Sequence, residues 1–237
     1  MSQGVIQQFL ESLSFRDAKH SYSQSGEDLV MAFICDAMSL SSITYLDIGA
    51  YHPSLLSNTY LFYKKGASGV VLEPNPALCD AFRIRRPRDI CLNVGVGRAT
   101  GDSARFFVMS TPTLSTFSEV EAQRYEAMGT HRIEKVLIVQ LVPVDQILQR
   151  YFPDCPPTIV SIDVEGLDLE ILQTMDFKKA RPSILCVETL SYSESRQEIK
   201  DANITCLMTS HGYFLYADTY INSIYVDRER WRQGATV

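Results

Sequence analysis

The stretch Tyr45–Thr59, YLDIGAYHPSLLSNT, decides how this chain is read. An apolar run ends in Asp47-Ile48-Gly49-Ala50, and a helical pattern begins a few residues later. Many nucleotide-binding α/β domains open in this way, with a strand, a glycine turn and a helix. Those domains use three glycines so that the backbone can touch a pyrophosphate. Here the later glycine positions hold bulky or constrained residues such as His52 and Pro53, which leave a pyrophosphate no close seat.

Outward from this turn, strand and helix patterns alternate. LSNTYLFYKKG is predicted as a helix closed by Gly66, SGVVLEP as a strand stopped by Pro74, PALCDAFRI as a helix and DICLNVGV as a strand. RFFVM and KVLIVQLVPV are further strands on either side of a polar stretch, 110–134. TIVSIDVEG runs into the helix LDLEILQTM, and SILCVETL is the next strand. ESRQEIKDANITCLMTSHG holds a helix closed by Gly212, and YFLYA and INSIYVD are close enough in sequence to pair antiparallel at an edge. Before the first strand, Val5, Ile6, Phe9, Leu10 and Leu13 share one face of a short amphipathic helix. A second helix is expected over Gly26–Met38, with Ser25 and Asp28 at capping-box spacing. Repeated β-α units with nearly continuous apolar strands mean a parallel sheet covered on both faces. Without linkers or repeats, residues 1–237 read as a single α/β domain, with N-terminal helices in 1–40. The stretch 110–134 is long for a connection, and its Thr113, Ser115, Thr116, Tyr125 and His131 suggest a lid or substrate loop.

With 46% hydrophobic and 21% charged residues and a formal charge of -6, the chain lacks the basic face that non-specific nucleic-acid binding needs. Its one dense basic run, RIRRPR (Arg83–Arg88), is expected to be the solvated end of a helix. The six cysteines form no CxxC pair or zinc spacing and read as small buried hydrophobes of a reducing compartment. No apolar run reaches membrane-spanning length, and no signal-peptide pattern is seen, so a cytoplasmic location without a membrane span is expected.

In open α/β sheets the ligand sits at the carboxyl ends of the strands. S-adenosylmethionine (SAM) has no phosphate, and it matches what these ends offer. Asp47 and Gly49 lie in the first turn. Glu73 ends the second strand, 26 residues after Asp47, and its carboxylate can accept two hydrogen bonds from a ribose diol. Asn93 ends the third strand and can pair with an adenine edge. An NAD-dependent oxidoreductase or epimerase also uses an acid on the second strand, but the missing glycines argue against it. A non-catalytic SAM- or glycan-binding protein of the same fold is the other alternative.

SQSGED (Ser23–Asp28), the first-strand turn, LEPNP (Leu72–Pro76), LNVGVG (Leu92–Gly97) and above all IDVEGLDLEIL (Ile162–Leu172) resemble the FkbM-type SAM-dependent methyltransferases, from about Ser23 to Leu190. The resemblance implies a Rossmann-like class I methyltransferase fold, mostly parallel with an antiparallel C-terminal strand pair and helices on both faces. It implies O-methylation, in many members of a sugar hydroxyl in a glycan, polysaccharide or natural product. It also puts Asp47, Gly49 and Ala50 against the methionine part of SAM, Glu73 on the ribose and Asn93 near adenine. Gln24 and Glu27 would close over the cofactor, and Asn58 would help position the first turn.

The chemistry falls to Asp163, Glu165 and Glu188, which end the fourth and fifth strands or lie just beyond. Crowded carboxylates share a proton or bind a cation. Two mechanisms stay open: Asp163 and Glu188, with Glu165 nearby, hold Mg²⁺ or another hard divalent ion, or a carboxylate or His52 acts as base. The expected partner is a small-molecule or oligosaccharide acceptor, and the N-terminal helix leaves a homodimer open.

Overall fold

The structure, a computed structural model, describes residues 19–99, 101–190 and 200–234. The expected helix around Val5–Leu13 lies outside the described residues. Helix α1 (Glu27–Ala37) leads into β1 (Thr44–Ile48), α2 (Tyr60–Lys64), β2 (Ser68–Leu72), α3 (Pro76–Arg85) and β3 (Ile90–Leu92). Then come β4 (Gly95–Val96), β5 (Ser103–Met109), a 3₁₀ turn (Pro112–Leu114), α4 (Glu119–Ala127), β6 (Ile133–Val142) and α5 (Val144–Tyr151). The chain continues through β7 (Ile159–Ile162), α6 (Asp168–Thr174), β8 (Ile184–Glu188), α7 (Ala202–Ser210), β9 (Tyr213–Asp218), β10 (Asn222–Asp227) and α8 (Arg228–Gly234).

Seven strands form one sheet in the order β3-β2-β1-β7-β8-β10-β9. The first five are parallel, and β10 runs antiparallel between β8 and β9. The order reverses between β1 and β7, so their carboxyl ends, Ile48 and Ile162, flank the crevice where such sheets bind ligands. The alternation of side chains along β1 separates two cores. Leu46 and Ile48 pack with Leu72, Ile147, Leu172 and Leu185. Tyr45 packs with Val71, Ile34, Phe62, Phe82 and Ile224 on the other face. Each such aliphatic side chain, once fully buried, contributes about 1.5–3 kcal/mol. No described helix is long and apolar enough to cross a membrane.

Four expectations need correction. DICLNVGV is not one strand: β3 stays in the main sheet, while β4 joins a second, three-stranded sheet of order β4-β6-β5. Asn93 turns the chain between them by donating from Nδ2 to the Glu73 and Pro74 carbonyls, both at 2.8 Å. Close packing then requires Gly95 and Gly97, where a Cβ would stand 2.5 Å from Phe117 and 2.7 Å from Leu141. Second, KVLIVQLVPV ends early: Val144 opens α5, because Pro143 cannot donate to a ladder and sits well ahead of a first helical turn. Third, Ser25 does not cap α1 through its side chain. Gly26, at φ 94°, holds the N-cap position, and Asp28 instead binds the Ser21 and Ser23 hydroxyls and the Tyr22 amide. Fourth, RIRRPR is not simply solvated. Arg86 is fully buried, with its Nε 2.6 Å from Asp89 and its Nη2 donating to Tyr45 and Thr59. Two of the cysteines, Cys155 and Cys206, are exposed; all six are free.

Candidate functional site

Asp47, the last acid of β1, is buried and accepts from Thr59 Oγ1 at 2.5 Å. Arg86 donates to that same hydroxyl at 3.0 Å, so the basic run behind the sheet anchors the tip of β1. Burial raises the Asp47 carboxyl above its ordinary range, with the Thr59 hydrogen bond working against it. Asn58, also buried, donates to Ser161 Oγ at 3.1 Å and to Cys186 Sγ. It thereby ties the loop after β1 to β7 and β8.

Gly49 is at φ 81°, and a Cβ there would lie 1.8 Å from the Asp163 carbonyl. The glycine is needed because two strand ends meet, a requirement separate from any ligand. Gly49 and Ala50 both donate backbone N–H to Leu72 at 3.1 Å. Ala50 is buried among apolar side chains.

A cavity of about 450 Å³ opens at these strand ends, in the size range of small-molecule sites. Gln24, Gly49, Glu73, Asp163, Glu165 and Glu188 reach its wall. Its far side is built by the 110–134 stretch, which is folded: the 3₁₀ turn supplies Thr113 and Leu114, and Thr111, Ser115, Phe117 and His131 line the wall beside it. Ser118 caps α4 by accepting from the Glu121 amide at 3.2 Å. A smaller apolar pocket of about 80 Å³ adjoins the cavity, sharing Gly49, Pro74, Phe117 and Val164 with it.

Carboxylate oxygens of Asp163, Glu165 and Glu188 lie within 4.8 Å of one another. Burial pushes Asp163 up to about 6, helped by the Asp47 charge. Burial and the neighbouring acids hold Glu165 and Glu188 well above the usual carboxylate range. Glu165 is clamped at both ends. Its carboxylate accepts from Tyr125 Oη at 3.0 Å and its carbonyl from Thr116 Oγ1 at 3.0 Å, while its backbone sits at the uncommon φ of 54°. Glu73, buried beside the Asn75 amide that it accepts at 2.7 Å, is pushed by burial to about 8.

The structure does not bring every expected residue to this cavity. His52 is not among the lining residues; its Nδ1 accepts from the Ser54 and Leu55 amides at 3.1 and 2.9 Å, which holds the loop. A ring fixed in this way closes a turn, and the base role is not supported by its position. The Asn93 amide is committed to two carbonyls, and neither Asn93 nor Asn58 lines the cavity. Glu27 is fully buried, accepting from Thr219 Oγ1 at 2.6 Å and Asn222 Nδ2 at 3.2 Å. It fastens α1 to the β9–β10 turn, whose Tyr220 and Ile221 do line the cavity.

Three elements of the site went unread in the sequence. Asp168 is buried and accepts the Val164 and Gly166 amides at 3.2 and 3.3 Å, shaping the turn that carries Glu165. An acid in the first turn of a helix was the available signal. The β9–β10 turn and Arg86 reach the site only through long-range packing, which leaves no local pattern.

A model of the methyltransferase FkbM domain matches residues 47–215. No curated protein sequence matches the chain. Among solved structures, the chain is similar to CalS10, an amino pentose methyltransferase from Micromonospora echinaspora (10% identity, 92% of this chain and 96% of that one, TM-score 0.43). It is also similar to the 1,6-didemethyltoxoflavin-N1-methyltransferase of Burkholderia thailandensis (8% identity, 94% and 86%, TM-score 0.41). A third is a TehB-like SAM-dependent methyltransferase from Corynebacterium glutamicum (10% identity, 95% and 97%, TM-score 0.42). Likeness at this level carries no argument about chemistry or substrate.

Proposed function

The chain belongs to the FkbM methyltransferase family, and on that premise we propose that it is a SAM-dependent O-methyltransferase acting on a hydroxyl of a small molecule or sugar. The observation that carries this reading is the group of three carboxylates, Asp163, Glu165 and Glu188, at the ends of β7 and β8 and facing a cavity bordered by Glu73. In this reading the ribose diol of SAM meets Glu73, and the adenine extends toward the pocket formed by Leu72, Val94, Val96 and Phe117. The sulfonium then faces the acids, and its positive charge offsets part of their mutual repulsion.

In the transfer step the sulfur–methyl bond breaks and an oxygen–methyl bond forms in line with it. The sulfur leaves with the bonding pair as a neutral thioether. The acceptor hydroxyl passes its proton to a carboxylate. Asp163, held near 6, is mostly ionised at neutral pH yet more basic than an ordinary aspartate, which suits a general base. Tyr125 and Thr116 hold Glu165 in place beside it. Alignment of the two reactants does most of the remaining work.

The same three oxygen donors fit a hard divalent cation. Asp163 and Glu188 would hold it, and when bound it would lower the pKa of the acceptor hydroxyl. Labelled methyl transfer from SAM to a panel of glycosides, with and without EDTA, tests both points. Transfer that survives EDTA assigns proton removal to the carboxylates; transfer that is lost and restored by Mg²⁺ assigns the cation. Binding of NAD in place of SAM would refute the proposal.

A further inference from the structure

Resting on the methyl-transfer reading, we infer that the acceptor is uncharged or cationic at the site, and that phosphorylated, nucleotide-linked and uronate acceptors are rejected. The first ground is the wall itself. Glu73, Asp163, Glu165 and Glu188 line the cavity, and no lysine or arginine stands among its described lining residues. The one basic side chain among the described lining residues is His131, whose Nδ1 lies 2.8 Å from Thr111 Oγ1. Arg98 borders the smaller adjoining pocket instead.

The second ground is independent of the acids on the wall. A sheet of this kind would ordinarily receive an anion at backbone amides near its helix starts. Around this cavity the chain's own acceptors already occupy those amides. Asp168 takes the Val164 and Gly166 amides ahead of α6. Before α3, Glu73 takes the Asn75 amide and Asn75 Oδ1 takes that of Ala77. Before α1, Glu27 takes the Ser25 amide and Asp28 that of Tyr22. An arriving phosphate or carboxylate finds these donors spent.

The cost of an anion follows from desolvation. A phosphate or carboxylate that leaves water for this wall meets no lysine or arginine and none of the amides named above free, and a charge buried without a partner loses roughly two orders of magnitude or more in binding. The one net positive charge of SAM faces Asp163 in this reading and is not left over for the acceptor. What remains on the wall suits a neutral polyol: the Thr111, Thr113 and Ser115 segment for hydroxyls, with Leu114, Phe106 and Phe117 for the apolar face of a ring.

The test uses the full chain, methyl-labelled SAM and a small-molecule extract divided beforehand on ion-exchange resins into anionic, neutral and cationic fractions. Donor binding is checked in parallel by calorimetry. The expected result is label incorporated from the neutral or cationic fraction, with at least 100-fold less from the anionic one. Label taken chiefly from the anionic fraction overturns the inference while leaving the transferase reading intact. Label from no fraction, with SAM still bound, overturns the transferase reading on which the inference rests.

Discussion

Replacing Glu73 with Gln separates the energetic burden of this acid from its use. Glu73 is 4% exposed and is pushed from an ordinary 4.5 to about 8 by burial. Its proton is therefore held more tightly in the folded protein than in the unfolded chain. Below about pH 4.5 both states are protonated and the group contributes nothing. Between 4.5 and 8 the unfolded chain gives up the proton first, so stability falls as pH rises, and it levels off above 8. At about 1.4 kcal/mol per pH unit, the limiting loss is about 5 kcal/mol. Glu73→Gln removes that slope. It also points one N–H toward the Asn75 amide or its surroundings, which costs about 1–3 kcal/mol at every pH. Urea denaturation of both proteins from pH 5 to 9, without ligand, should show wild type losing stability more steeply than the variant, whose remaining slope comes from acids such as Asp163, Glu165 and Glu188, with the curves crossing between about pH 5 and 7 and the variant the more stable above that. At pH 9, where Glu73 is ionised, SAM affinity should fall about 10-fold or more in Glu73→Gln, because the amide accepts fewer hydrogen bonds from the ribose diol than the carboxylate does. Parallel stability curves, or unchanged affinity, would refute the reasoning.

Three further outcomes are expected. Arg86→Met leaves Asp89 buried without its ion partner and frees Thr59 beside Asp47, so thermal unfolding should show a loss of about 3–5 kcal/mol. Gly49→Ala places a methyl group 1.8 Å from the Asp163 carbonyl at a left-handed φ, and the variant should unfold at markedly lower temperature or fail to express, as read by calorimetry. Tyr125→Phe removes a hydrogen bond that favours ionised Glu165, so the titration of the Glu165 carboxyl, followed by NMR, should move to higher pH while SAM affinity stays within about twofold.

Much of this architecture was legible because parallel strands buried on both faces carry near-continuous apolar runs, as in Ile159–Ile162 and Ile184–Glu188. The acids that interrupt those runs, Asp47, Glu73, Asp163 and Glu188, mark the carboxyl ends where a ligand can meet them. The split between β3 and β4 was not legible, since it depends on Asn93 finding the carbonyls of Glu73 and Pro74, in a turn 20 residues earlier. Arg86 read as a surface residue because Tyr45 and Thr59, which enclose it, lie 41 and 27 residues away, and Asp89 three residues on does not by itself signal burial. Gly49 was noticed for the correct turn but a different reason: its missing side chain makes room for the Asp163 backbone. His52 followed the turn so closely that proximity in sequence suggested a base, whereas its ring nitrogen closes the loop on itself.

The central claim is that a phosphate-free sulfonium donor lies over the ends of β1 and β2 with its methyl group aimed at the acids beyond β7 and β8. A crystal soaked in S-adenosylhomocysteine tests it most directly. The account predicts the ribose hydroxyls on Glu73 and the sulfur facing Asp163, Glu165 and Glu188. Electron density for the ligand elsewhere, or a sulfur directed away from those three carboxylates, would contradict it.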